Sequence, residues 1–348
     1  ANGPQLPARQ EPVSCTITPM TWIDKLKNGV SSLLRRKRPS PLPSGAPRTP
    51  VTPPASAPAG LRGHYERGEE FQPGVGSSDY RLFIPIQADP QRPRALVLML
   101  HGCKQNPDDF AAGTGMDQLG DSEGFFVLYP GQNRKRNPQG CWNWFSRRNQ
   151  RRDWGEPELI ASMVRKAIRQ HPVDPSRIYV AGLSAGGAMT ALMARNYPDL
   201  FAAAAIHAGL PPAAATSIPG AFSAMRRGAK GTPLPEGHPL VPVLVFQGDR
   251  DETVHPDNGH NVISAMIPPG CQSAQQRIDQ QGREVTLTRY LTPGGSIAGE
   301  LWMVHGLGHA WSGGQPAGSY TDPAGPDASR ESLRFFRQYV NPRARSAH

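Results

Sequence analysis

The run Arg177–Ala181 (RIYVA) leads directly into Gly182-Leu183-Ser184-Ala185-Gly186 and then into a helix-forming stretch ending at Asn196, and this constrains the chain more than any other feature. An apolar strand that must become a helix within a few residues needs a backbone free of Cβ atoms at the turn, and the glycines supply it. Such a turn lifts the residue between them above the strand ends and aims a helix N-terminus at it. The rest of the sequence repeats the alternation. Ala95–Leu100 (ALVLML) is a continuous apolar run, as a strand buried on both faces should be. Tyr80–Ile86 opens the sheet, and Phe125–Tyr129, Phe201–His207, Val243–Gln247 and Leu301–His305 read as further strands. Pro157–His171 places Leu159, Ile160, Met163, Val164, Ala167 and Ile168 at helical spacing, and a helix over Ser329–Val340 closes the chain. The expected class is α/β, with a mostly parallel central sheet and helices on both faces.

Charge sets the domain organisation. The 348 residues carry a formal charge of +10, yet residues 1–63 alone hold nine basic and two acidic side chains. These residues are predicted to be a basic, Pro-rich, disordered tail and linker, and residues 64–342 the catalytic domain. A stretch rich in Pro, Gly and Ala near 207–242 breaks the alternation and reads as a cap-like insertion. Trp22–Arg38 has the pattern of a short basic amphipathic helix, but helices this short are marginal in water, so the tail is not expected to hold a membrane. An excess confined to a tail, away from any folded face with base-reading side chains, argues against a nucleic-acid partner.

The turn around Ser184 is a G-x-S-x-G motif between a strand and a helix, the context that makes it a nucleophile elbow and the fold an α/β-hydrolase fold. A serine hydroxyl becomes a nucleophile only when a base takes its proton and a third group orients that base. In this fold the chain order is serine, acid, histidine. The run VLVFQGDRDETV delivers Asp249 and Asp251 past a strand end; Asp251 is the expected acid, Asp249 the expected turn-former, and Asp257 a distant alternative. His309 lies in the glycine-flanked loop GLGHAW and is the expected base, ahead of His305, which should still belong to the preceding strand. The glycines between His305 and His309 argue against a helical metal pair, and no metal or cofactor is expected. The developing oxyanion needs two amide donors, assigned to Ala185 and, in the loop after the early central strand, Cys103.

Taken together, His101-Gly102-Cys103, the run Cys141-Trp142-Asn143-Trp144-Phe145, GLSAGGAMT around Ser184 and HGLGHAWSGG around His309 resemble the poly(3-hydroxybutyrate) depolymerase-like esterases, neighbours of the feruloyl and acetylxylan esterases. The resemblance spans about Tyr80 to Val340. It implies a triad of Ser184, Asp251 and His309, no metal, and hydrolysis of hydroxyalkanoate, hydroxycinnamoyl or short-chain esters, as small molecules or polymer-derived oligomers. An extracellular or periplasmic destination is implied by the resemblance alone, since no leader-like apolar run is visible. Trp142, Trp144 and Trp311 offer aromatic surface for an acyl group, with core packing as the alternative. Cys103 and Cys141 are expected to meet beside the site as a disulfide, with two separate thiols as the alternative. The run Arg134–Arg152 holds seven Lys or Arg and no acid; it reads either as a rim that attracts anions or as a solvated loop. A peptidase of the same fold, and a non-catalytic protein that binds through its basic tail, are the competing functions.

Overall fold

The computed structural model describes residues 60–344. The expected tail and its amphipathic segment lie outside these residues, except for its last few positions. There the backbone amides of Arg62 and Gly63 donate to the Asp121 carboxylate at 3.1 and 2.8 Å, so the folded unit starts slightly before residue 64.

Strands β1 (His64–Gln72) and β2 (Gly76–Ile84) form an antiparallel hairpin. After them come β3 (Arg94–Leu100), helices α1 (Pro107–Thr114) and α2 (Met116–Glu123), and β4 (Phe126–Pro130). A long loop carrying a single 3-10 turn, Arg147–Gln150, leads to α3 (Gly155–Gln170). Next are β5 (Val173–Leu183), α4 (Ala185–Asn196), β6 (Ala203–His207), α5 (Ile218–Arg227), β7 (Val243–Gly248) and α6 (Asp257–Met266). The chain continues through β8 (Gln272–Gln280), β9 (Arg283–Leu291), β10 (Ile297–Val304), the two-residue strands β11 (Trp311–Ser312) and β12 (Thr321–Asp322), and α7 (Ala328–Phe336).

Ten strands build one sheet in the order β1-β2-β4-β3-β5-β6-β7-β10-β9-β8. The six from β4 to β10 are parallel, and antiparallel hairpins flank them on both edges. Alternate residues of the central strands feed two separate cores. Leu96, Leu98, Val180 and Val245 pack with Leu159 and Met163 of α3, Leu192 of α4 and Ile263 of α6. Val97, Met99, Ala181 and Phe246 pack with Phe110 of α1, Met116 of α2, and Leu333 and Phe336 of α7. Both faces are covered, which is why these strands read as unbroken apolar runs.

The expected architecture is therefore observed, with corrections at its edges. The sheet opens at His64 rather than Tyr80, and the hairpin β8–β9 was not anticipated. β1 (HYERGEEFQ) and β8 (QSAQQRIDQ) are polar and largely exposed, the composition by which edge strands resist pairing with other chains and one that hides them from a hydrophobic pattern. The segment between β6 and β7 carries α5, which is fastened to the next connection: Asn258 Nδ2 donates to the Ala224 carbonyl at 3.0 Å and the His255 amide to that of Met225 at 2.7 Å.

Candidate active site

All the parallel strands point their C-terminal ends to one edge of the sheet, and the functional side chains collect there. Ser184 joins β5 to α4 with φ 58° and ψ −119°, a conformation costly for any residue with a Cβ and concentrated at functional sites. The surroundings enforce it. The Ser184 amide donates to the His207 carbonyl at 2.9 Å. A Cβ on Gly186 would overlap the Leu100 carbonyl and come within 2.6 Å of that of His101, so the helix start can approach the sheet only as glycine. The Ser184 hydroxyl does not cap the helix, which leaves it available for chemistry.

The acid and base candidates sort into two pairs. Beyond β7, Asp251 is buried; its Oδ1 accepts the amides of Thr253 and Val254 at 2.9 and 2.8 Å, and its Oδ2 receives His309 Nδ1 at 2.7 Å. With Nδ1 committed to a carboxylate, Nε2 is the nitrogen left to accept a proton. The side chains of this pair are 0% and 11% exposed. Asp249 instead pairs with the competing histidine: its Oδ2 receives His305 Nδ1 at 2.8 Å and its Oδ1 the Gly306 amide at 2.7 Å, with side chains 36% and 33% exposed. His305 has left the strand, contrary to expectation, and its Nε2 meets Thr286 Oγ1 at 2.8 Å. Asp257 lies at the start of α6 beside His255, 68% exposed.

The loop after β3 reaches the elbow from the other side. A Cβ on Gly102 would stand 3.5 Å from Ser184 Cβ. The amides flanking Cys103 are both engaged, Gly102 N with Gln105 Oε1 at 2.9 Å and Lys104 N with the Gln139 carbonyl at 2.7 Å, which fixes the direction of the Cys103 amide between them. Ala185 is the first residue of α4, where amides have no acceptor within the helix. Gln105 Nε2 also donates to the Ser319 carbonyl at 2.9 Å, tying this loop to the one that carries Tyr320. Tyr320, 40% exposed with φ 52°, sets its ring 6.4 Å from that of His309.

Cys103 and Cys141 are joined as a disulfide, with Cα atoms 4.2 Å apart. The bridge fastens the long loop after β4 to the loop after β3, and it is not the only tie. Trp142 Nε1 donates to the His101 carbonyl at 3.1 Å, and the Gln132 amide to His101 Nε2 at 3.1 Å. At the start of α3 the buried Glu156 carboxylate accepts from this loop's Gln132 Nε2, Asn143 amide and Asn143 Nδ2 at 2.6 to 2.7 Å. Burial pushes its carboxyl up from the usual range, and those hydrogen bonds oppose the rise. Removing the bridge in a Cys103→Ala/Cys141→Ala variant frees a connection of 38 residues, and a loop of that length corresponds to a loss of roughly 4 kcal/mol in the chain-entropy model. Urea denaturation of the variant beside the oxidised protein measures that loss.

The three tryptophans, read in the sequence as acyl-group surface or as core, are buried in the structure. Trp142, Trp144 and Trp311 are 0%, 4% and 1% exposed, and their indoles are spent on packing. Trp142 anchors on His101, Trp311 Nε1 donates to Ser329 Oγ at 3.1 Å, and Trp144 packs edge-to-face on Phe145. The exposed aromatic beside His309 is Tyr320, which has no neighbouring motif to flag it in the sequence.

Two buried histidines went unrecognised in the sequence. His101 Nδ1 bonds to the Gly102 carbonyl at 2.8 Å. His207 lies between the rings of Phe246 and Trp311, and its Nε2 accepts the Ser312 amide at 3.1 Å. Complete burial pushes His101 down to about 4 and His207 down to about 3. Both are neutral in the folded protein at neutral pH. Below the unfolded value of about 6.5 the unfolded chain takes up protons that the folded one refuses, so stability falls with acidification from about pH 6.5 to about 4. Each histidine contributes a slope approaching about 1.4 kcal/mol per pH unit there. Denaturant midpoints measured from pH 7 to pH 4 should show this decline.

Comparison with known proteins places this geometry. The family model for esterase PHB depolymerase matches residues 78–278. Poly(3-hydroxyalkanoate) depolymerase C of Paucimonas lemoignei is 36% identical over 248 residues, 68% of this chain and 59% of that protein. Feruloyl esterase B of Neurospora crassa is 31% identical over 163 residues, 45% of this chain and 54% of that protein. This chain thus spans little more than half the length of these relatives. The acetyl xylan esterase from Aspergillus awamori superposes with a TM-score of 0.60 at 19% identity, covering 78% of this chain and 99% of that one, a likeness of fold. A family match over more than half of its length establishes that the chain belongs to the esterase PHB depolymerase family.

Proposed function

We propose that this protein is a serine-dependent carboxylic-ester hydrolase that works through an acyl-enzyme. The observation that carries the reading is the buried Asp251–His309 hydrogen bond, 2.7 Å long, on the same sheet edge as the strained Ser184 turn. His309 Nε2 takes the Ser184 proton as Oγ attacks the ester carbonyl carbon, and Asp251 stabilises the resulting imidazolium. The amides of Cys103 and Ala185 receive the negative charge that develops on the carbonyl oxygen. Collapse breaks the bond to the alcohol, which leaves with the proton from His309. A water molecule, deprotonated by the same base, then attacks the acyl carbonyl, and the acid and a free Ser184 hydroxyl are released.

The names of the relatives support hydroxyalkanoate, acetyl and feruloyl esters as the acyl groups to try first. The disulfide supports an oxidising compartment such as the periplasm or the extracellular space. The test combines turnover with trapping. p-Nitrophenyl acetate, butyrate and octanoate, with methyl ferulate, are offered to the protein, and a fluorophosphonate is used to label it. Turnover of the shorter esters together with a covalent adduct on Ser184 is the expected result. A folded protein that turns over none of the esters, or an adduct on any other residue, sinks the proposal.

A further inference from the structure

The loop between β4 and α3 carries more positive charge than its structure uses. Of the seven Lys and Arg between positions 134 and 152, two are tied down: Arg136 faces Glu156 and the Ser77 carbonyl, and Arg152 pairs with Asp199. The other five, Arg134, Lys135, Arg147, Arg148 and Arg151, are exposed. Among the described residues no acid lies within ion-pair distance of any of them. The loop's own carboxylate, Asp153, is paired with Arg152, and Glu156 at the start of α3 is buried and occupied by Gln132, Asn143 and Asn149, so the five cations are turned outward with no ion-pair partner among the described residues.

Their position gives the charge a use. The loop leaves the C-terminal end of β4 on the edge where Ser184 stands, and it is fastened to the oxyanion loop by the Cys103–Cys141 bridge, by Trp142 on the His101 carbonyl and by Gln139 on the Lys104 amide. A solvated surface loop needs no such fastening to a catalytic strand end. Arg134 also lines a cavity of about 340 Å³ next to the start of α1, where Arg67 and Arg81 are paired with Asp108 and Asp79 lies in the same wall, so that Arg134 is its one cation without an ion-pair partner among the described residues. After β6 and β7 the exposed charge is mixed, Arg226 and Arg227 in the last turn of α5, Lys230 and Arg250 against Glu236, Asp249, Glu252 and Asp257, so the positive excess belongs to the loop between β4 and α3. A cleft edged by one sign of charge concentrates ligands of the other sign and raises their association rate by about 10-fold or more.

We infer that the preferred substrates of this site are esters that carry a free carboxylate close to the scissile bond, drawn in and held by Arg134, Arg147, Arg148 and Arg151. Short oligomers ending in a free acid, and esters on acidic polymers, share that chemistry. The inference rests on the esterase reading of Ser184, Asp251 and His309 and adds the charge of the substrate to it.

The experiment compares p-nitrophenyl hemisuccinate with p-nitrophenyl butyrate, four-carbon acyl groups that differ by a carboxylate. The readout is the ratio of their kcat/KM values, taken for the wild type and for an Arg147→Gln/Arg148→Gln/Arg151→Gln variant at low and high salt. At low ionic strength the wild-type ratio is expected to favour the anion. It should fall roughly 10-fold in the triple variant, and similarly near 1 M salt, where the screening length shrinks to about 3 Å. A ratio indifferent to salt and to the substitutions, with butyrate still turned over, overturns the inference and leaves the esterase reading standing. No turnover of either ester by the folded protein overturns that reading and the inference with it. Should the triple variant fail to fold, the salt dependence of the wild-type ratio decides alone.

Discussion

Ser184→Ala is expected to lower kcat for p-nitrophenyl butyrate by about 10⁵- to 10⁶-fold while KM stays within a few-fold, because the nucleophile is lost and the binding surface is kept. The fold should survive. The Ser184 hydroxyl makes no capping bond, the amide bond to the His207 carbonyl belongs to the backbone, and alanine bears the same positive φ as serine. A residual rate above the uncatalysed one is expected, since the proposed oxyanion donors, the amides of Cys103 and Ala185, remain in place for attack by water. Residues of the proposed triad would act as a unit, so Ser184→Ala/His309→Ala should lose scarcely more than Ser184→Ala alone. Steady-state rates and thermal melts of the three proteins check this. A Ser184→Ala protein that keeps more than about 1% of wild-type kcat would exclude Ser184 as the nucleophile.

What could be read from the sequence, and what could not, divides along physical lines. The central strands and α4 were legible because two-sided burial imposes unbroken apolar runs, and because the close approach of Gly186 to the Leu100 carbonyl leaves a glycine signature. Chain order and strand ends were enough to expect Ser184 at the strand-to-helix turn and Asp251 beside His309, and the structure has that turn and that pairing. β1 and β8 were not, since an edge strand with glutamates, glutamines and arginines looks like a loop to any hydrophobic pattern. The tryptophans left two readings open for a related reason. An aromatic beside a motif is equally suited to line a cleft or to fill the space beneath it, and only tertiary packing decides; here Trp142 and Trp311 serve as buried props for the His101 carbonyl and Ser329. Tyr320 escaped because its value lies in a strained backbone and a neighbour eleven residues back, neither of which leaves a pattern. The two uses of the charged loop, ion pairing by Arg136 and Arg152 and outward display by the remainder, also depend on partners far away in the chain.

The choice between Asp249 and Asp251 shows how burial separates two chemically identical pairs, and it yields a contrast of about three orders of magnitude. Both aspartates follow β7, and both hold the Nδ1 of a histidine from the β10 end of the sheet, at 2.8 and 2.7 Å. Asp249–His305 is one-third exposed, where solvent screening leaves an ion pair worth at most about 1 kcal/mol. In Asp251–His309 the carboxylate is fully buried and the imidazole only 11% exposed, so the carboxylate can hold the imidazole in one tautomer and stabilise the cation formed in the transition state. Asp251→Asn should therefore lower kcat about 10³- to 10⁴-fold, whereas Asp249→Asn and His305→Gln should change it less than about 3-fold. The substitution at 251 is gentle to the fold. An amide oxygen can still accept the amides of Thr253 and Val254, so the turn is retained while the acceptor for His309 is replaced by a group able to donate. Kinetics of the three variants, with circular dichroism to verify folding, decide the assignment. Comparable losses at 249 and 251, or the greater loss at 249, would move the acid to the exposed pair and make His305 the base.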